Sequence, residues 1–183
     1  MYETFRSRAQ AVGAEVHRFA ECSEARRFVL DLLRSEGVSA TPGAGAVWAD
    51  GPFLAAADRA ALAREVPGLA FEVNRESAAA AKVGITDADW MVANTGTLAT
   101  AADGAAGRLA AMLPALHVAV VPASRLVADL GALFQRLSPR DTRYLALVTG
   151  PSRTADIERV LTIGVHGPAR LVVVVVDDLQ GRC

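Results

Sequence analysis

The sequence predicts an α/β fold: an open, mostly parallel sheet in a three-layer α/β/α arrangement with one inserted hairpin. Three observations predict it. The short aliphatic run at 171–176, and the one that follows His117 within 117–121, suit strands buried on both faces, as parallel strands are. Segments with apolar residues at helical spacing alternate with such runs along the chain. Asn94-Thr95-Gly96 lies between two β-prone runs and has the composition of a tight antiparallel turn. At 183 residues the chain suits one domain, 1–183, large enough to bury a core without disulfides or metal.

Residues 5–12 and 23–34 carry helical spacing (Ala25, Phe28, Val29, Leu32, Leu33), with Gly37 as a stop signal. They define N-terminal helices over about residues 1–37, ahead of an α/β core over about 38–183. Residues 38–45 are rich in Gly, Pro and hydroxyl side chains, hence a loop, and 46–49 are read as the first sheet strand, ended by Asp50-Gly51-Pro52. Helical spacing returns over 53–66, and a second strand is expected over 69–73. The hairpin occupies 91–101. Residues 107–113 are helical until Pro114, and 117–121 form a buried strand that passes through Pro122, placed as a first-turn proline, into a helix over 124–137. After a charged loop at 138–143, the strand 144–148 ends in Gly150-Pro151. A helix is expected next, then the turn Gly164-Val165-His166-Gly167-Pro168 and the strand 171–176, which together make a parallel crossover.

A net charge of −1 from 19 basic and 20 acidic residues leaves no electrostatic footprint for nucleic acid. The two cysteines, Cys22 and Cys183, have no CxxC spacing, and the three histidines are scattered, so no metal or iron–sulfur site of the chain's own is expected. The longest aliphatic run is too short to span a bilayer and residues 1–10 have no apolar leader core. A cytoplasmic protein without membrane insertion is expected.

Two hydroxyl- and glycine-rich turns are the candidate anion sites. Gly150, Pro151, Ser152, Arg153 and Thr154 precede a helical pattern whose free N–H groups can cradle a phosphate or carboxylate, with Arg153 adding a full charge. The same residues also suit plain capping, with Asp156 and Glu158 against the dipole. Thr95, Gly96 and Thr97 place two hydroxyls around a glycine that permits close approach, either by a ligand or within an ordinary hairpin. His166 and Asp87 are the available acid/base groups, although His166 better suits a structural place at a helix end, and Asp87 a solvated cap beside Thr86 and Asp89. His117, opening an apolar strand, reads as a satisfied buried histidine and His17 as a surface one. No nucleophile motif is present.

Gly84-Ile85-Thr86, the run from Ala93 to Leu98, Leu113-Pro114-Ala115-Leu116-His117 and the turns at 149–158 and 164–168 are ordered and collinear over about residues 84–176. In these the chain resembles the LUD-domain family, the LutC-like lactate utilization proteins. The resemblance implies a Rossmann-like fold similar to ribose-5-phosphate isomerase, glucosamine-phosphate isomerase and CoA transferases, with small ligands beyond the carboxyl ends of the strands. It further implies an accessory, non-redox subunit in the oxidation of L-lactate to pyruvate, with no cofactor of its own and iron–sulfur clusters in partner subunits. Family members commonly carry an acidic residue where this chain has Asn94. Two other readings stay open: a free-standing enzyme on a phosphorylated sugar or CoA ester, as neighbouring families of that fold are, and a regulatory or scaffold protein.

Overall fold

The computed structural model describes residues 1–55, 57–101, 104–138, 140, 142–155, 161–163 and 167–178. In chain order the elements are α1 (Tyr2–Ala11), β1 (Glu15–Glu21), α2 (Cys22–Ser35), β2 (Gly45–Trp48), α3 (Pro52–Ala55), α4 (Arg59–Glu65), β3 (Leu69–Ala70), α5 (Arg75–Ala80), β4 (Ala81–Asp87), β5 (Trp90–Val92) and β6 (Thr97–Ala101). They continue with α6 (Ala105–Met112), β7 (Leu116–Pro122), a 3-10 turn (Ala123–Arg125), β8 (Leu126–Val127), α7 (Leu130–Phe134), β9 (Leu145–Val148), β10 (Arg153–Ala155), β11 (Leu161–Ile163) and β12 (Arg170–Asp178).

The main sheet has the order β1-β12-β7-β4-β2-β3, and every pairing in it is parallel. This is the α/β class that the aliphatic runs predict. Alternating residues of one strand feed two different cores. Val172, Val174 and Val176 pack with Ala25, Val29 and Leu33 of α2 on one face. Val173 and Val175 pack on the other face with Phe5 and Ala9 of α1 and with Met91 and Leu98 of β5 and β6. Farther along that second face, Val47 and Ala49 meet Ala78 of α5 and Ala110 of α6.

The hairpin β5–β6 is antiparallel as expected. It belongs to a second sheet, β8-β5-β6-β9, laid over part of the main one. This corrects the terminal crossover: β9 pairs antiparallel with β6, whereas β12 lies between β1 and β7, so the two runs belong to different sheets.

The helix expected after Gly150 is also corrected. Residues 153–155 and 161–163 form the antiparallel pair β10–β11. The capping pattern was a local signal, and Thr154, Thr162 and Ile163 are β-branched residues that favour the paired strand instead. Residues 156–160 and 164–166, with His166 among them, lie outside the described residues.

Three further readings shift. Residues 1–37 are not a helical preamble, because β1 stands between α1 and α2 and pairs with β12. The region 53–66 divides into α3 and α4, and 124–137 into a 3-10 turn, β8 and α7. Pro122 closes β7 rather than opening a long helix.

Gly84 fixes how α6 sits. A Cβ there would lie 1.8 Å from the Ala110 carbonyl oxygen and 2.8 Å from its carbon, so the helix backbone rests on the strand. Gly107 on the same helix has open space beside it. Gly84→Ala should therefore destabilise the protein by about 3 kcal/mol or more, while Gly107→Ala should stabilise it by up to about 1 kcal/mol. Urea melts of both variants check this; equal midpoints would refute the assigned contact.

Candidate functional site

The two predicted turns come together. The Thr97 hydroxyl donates to Thr95 Oγ1 at 2.7 Å and lies 2.8 Å from Thr149 Oγ1. Gly96 and Gly150 have φ of 68° and 77°, in the left-handed region that glycine adopts without strain. A Cβ on Gly96 would come within 2.3 Å of Ala9 N, and one on Gly150 within 2.7 Å of Val12 O. The close approach that these glycines allow is thus used by the last turn of α1. Arg153 is engaged there too, its Nη2 donating to Val12 O at 2.7 Å. With no helix starting at 152–154, the amide cradle expected for an anion loses its physical basis. A depression of about 500 Å³ remains beside Thr95, Thr97 and Thr149, bordered by Asn94 and Arg8.

A larger cleft of about 730 Å³ opens at the carboxyl ends of β2 and β4, between α6 and the second sheet. That is where small ligands lie in open parallel sheets. Its floor holds Asp87. One carboxylate oxygen, Oδ2, accepts the Phe53 N–H at 3.2 Å, and the other, Oδ1, is buried and has no hydrogen-bond partner among the described residues. Burial pushes the carboxyl up to about 6, with the neighbouring Asp89 adding to the effect and the Phe53 N–H opposing it. Gly51 lets the 50–53 loop close over this group, since a Cβ would meet Oδ2 at 1.8 Å.

Beside it, His117 is 5% exposed and its Nε2 lies 2.8 Å from Thr86 Oγ1. Burial depresses the imidazole to about 4, so it stays neutral at ordinary pH. The buried, satisfied histidine expected from the sequence is therefore found, and it borders a cleft. Across the cleft the Arg108 guanidinium sits over the Tyr144 ring at 4.7 Å, a cation–π contact that leaves its N–H donors available. Asp89 accepts the Ala101 N–H at 2.7 Å, and its carboxyl is raised by desolvation against this bond and the Arg125 charge.

A second depression of about 260 Å³ adjoins this cleft and shares Met112, His117 and Leu147 with it; Gly150, Pro151 and Ser152 line its far side. The sequence candidates are thus divided. Asp87 lies in the main cleft, Gly150 to Ser152 in its extension, Thr95 and Thr97 in the separate depression, and Thr154 on β10. Sequence reasoning missed Arg108 and Tyr144. The available signal was a lone cation among Gly104, Ala105, Ala106 and Gly107, a stretch too small in side chain to cover it. Among the described residues, no group of His, Cys, Asp and Glu could hold a metal ion. No helix among them is long and apolar enough to cross a membrane.

The family model described as the LUD domain matches residues 2–176. Similar proteins include Lactate utilization protein C of Macrococcus caseolyticus, 39% identical over 111 residues, covering 57% of this chain and 48% of that protein. Another is Lactate utilization protein C of an Exiguobacterium species, 39% identical over 114 residues, covering 59% and 50%. The chain spans about half the length of the curated relatives it matches. A solved structure of a duf162 family protein from Deinococcus radiodurans superposes with a TM-score of 0.65 at 18% identity, covering 96% of this chain and 95% of that one. That likeness supports the α/β fold.

The raised carboxyl of Asp87 has a consequence for stability. It is about 6 in the fold against 3.8 when exposed, so its contribution favours the folded state below pH 3.8 and is lost as pH rises through 6. Asp87→Asn keeps an acceptor for Phe53 and removes the buried charge. It should stabilise the protein at pH 8, by at most about 3 kcal/mol, and have little effect near pH 4. Melting curves at both pH values check this; a shift independent of pH would refute it.

Proposed function

The chain belongs to the LUD-domain family, and from that premise we propose that it serves lactate utilization as a non-redox, ligand-binding subunit. Relatives named Lactate utilization protein C supply the pathway. Two cysteines cannot ligate a four-cysteine cluster. The electrons of lactate oxidation accordingly pass, in this reading, to iron–sulfur partner proteins.

The observation that carries the reading is one cleft lined by the Arg108 guanidinium, the Asp87 carboxyl group and Thr86. A 2-hydroxycarboxylate complements them. Its carboxylate matches the planar N–H donors of Arg108, and its hydroxyl meets the polar wall that Thr86 and Asp87 give the cleft. Thr86, held by His117, keeps a polar wall beside them.

Titration calorimetry should show L-lactate or pyruvate binding to the folded chain, and Arg108→Ala should weaken it at least about tenfold, the loss of one charge-assisted contact. Unchanged affinity in that variant, or no binding of either acid, would overturn the site. Affinity capture from native extract should recover a cysteine-rich iron–sulfur protein; reproducible isolation of the chain alone at native abundance would count against the partnership.

A further inference from the structure

The polar groups account for part of the cleft lining only. Met112 is 50% exposed and Leu147 44% exposed, and both border the main cleft and its extension at once. Two large apolar side chains left open to solvent in the same concavity mark a surface prepared for apolar matter. Ala111 and Val148 also line both cavities and continue the apolar surface. A cleft of about 730 Å³ with a further 260 Å³ beside it falls in the size range that encloses much larger organic molecules than lactate. Lactate has a single methyl group beyond its hydroxyl-bearing carbon. With lactate seated on Arg108 and Asp87, that one methyl group is too small to cover both Met112 and Leu147.

We propose that this site is built for 2-hydroxycarboxylates bearing an apolar side chain, with the acid group at Arg108, the hydroxyl at Asp87 and the side chain laid between Met112 and Leu147 towards Gly150–Ser152. The inference rests on the reading of this cleft as the ligand site and sets its substrate class. The order of affinity follows from the geometry: each methylene removed from water on an apolar wall strengthens binding about fourfold, and an aryl ring buries more still. The head-group contacts are common to the whole series, so the difference within it reports the apolar walls alone.

The experiment is a calorimetric comparison of L-lactate, L-3-phenyllactate and 2-hydroxyoctanoate on the full chain, repeated with Met112→Ser and Leu147→Ser. Phenyllactate and hydroxyoctanoate should bind at least about tenfold more tightly than lactate. Each serine variant should shrink that advantage several-fold while leaving lactate affinity within about twofold. Phe134→Ser removes a side chain that is also 44% exposed but borders neither cavity, and it should leave all three affinities unchanged. If lactate binds and the longer acids bind no better, or if their advantage survives both serine variants, the substrate class is wrong and the site itself stands. Failure of all three acids to bind overturns the class and the site together.

Discussion

Strand β12 sets the constraint that the rest of the chain satisfies. Its residues from Leu171 to Val176 are all buried, and it is paired on both edges, to β1 and to β7. A strand of this kind needs apolar cover on both faces. On one face α2 supplies it as a continuous amphipathic stripe through Ala25, Val29 and Leu33. The other face is covered piecemeal: α1 and the second sheet lie over β12 and β7, and α5 and α6 lie over β2. Where the cover changes from sheet to helix, above β4, the two kinds of element do not close up. The cleft occupies that seam, bringing Thr86 and Asp87 of the main sheet, Arg108 of α6 and Tyr144 before β9 to one place.

This division explains which parts of the fold the sequence discloses. Runs buried on both faces, such as 118–121 in β7 and 171–176 in β12, announce themselves because every residue in them is apolar. The turn Asn94-Thr95-Gly96 does so because a positive φ needs glycine. Strand β1 was hidden: Glu15, His17 and Arg18 give an edge strand a mixed surface, and only Val16 within it is buried. The pairing of β10 with β11 was hidden for another reason. Ser152 and Thr154 followed by Asp156 and Glu158 give a local helix-start pattern, and nothing local records that residues 153–155 face 161–163 across a ladder.

The site was legible only in part, since its members come from four separated stretches of chain. Asp87 could be singled out as a carboxylate at the end of a strand. It could also be named as an available acid/base group, but its raised carboxyl could not be foreseen, because the 50–53 loop that closes over it is far away in sequence. Arg108 has the composition of any solvated helix position until Gly84 draws α6 down onto β4. The two turns that looked chemical, at 95–97 and 150–154, do come together, through Thr97 and Thr149, the residue just before Gly150. Their glycines, however, accommodate α1 rather than a guest.

Glycines and ionisable groups therefore carry different burdens in this domain. Gly84, Gly96 and Gly150 each sit where a Cβ would strike the backbone of a neighbouring helix, and so they hold the second-face cover in place. That assembly could be made from apolar contacts and hydrogen bonds alone, yet the seam it leaves contains a carboxylate whose burial works against its ionisation and whose second oxygen has no partner among the described residues. A buried carboxylate with an unsatisfied oxygen costs stability, of which an asparagine would recover the part due to charge and an alanine the part due to the unpaired atom. A fold carrying such a group beside a cation and open apolar side chains holds one half of a set of interactions, and a hydroxyl-bearing organic acid has the chemistry of the other half.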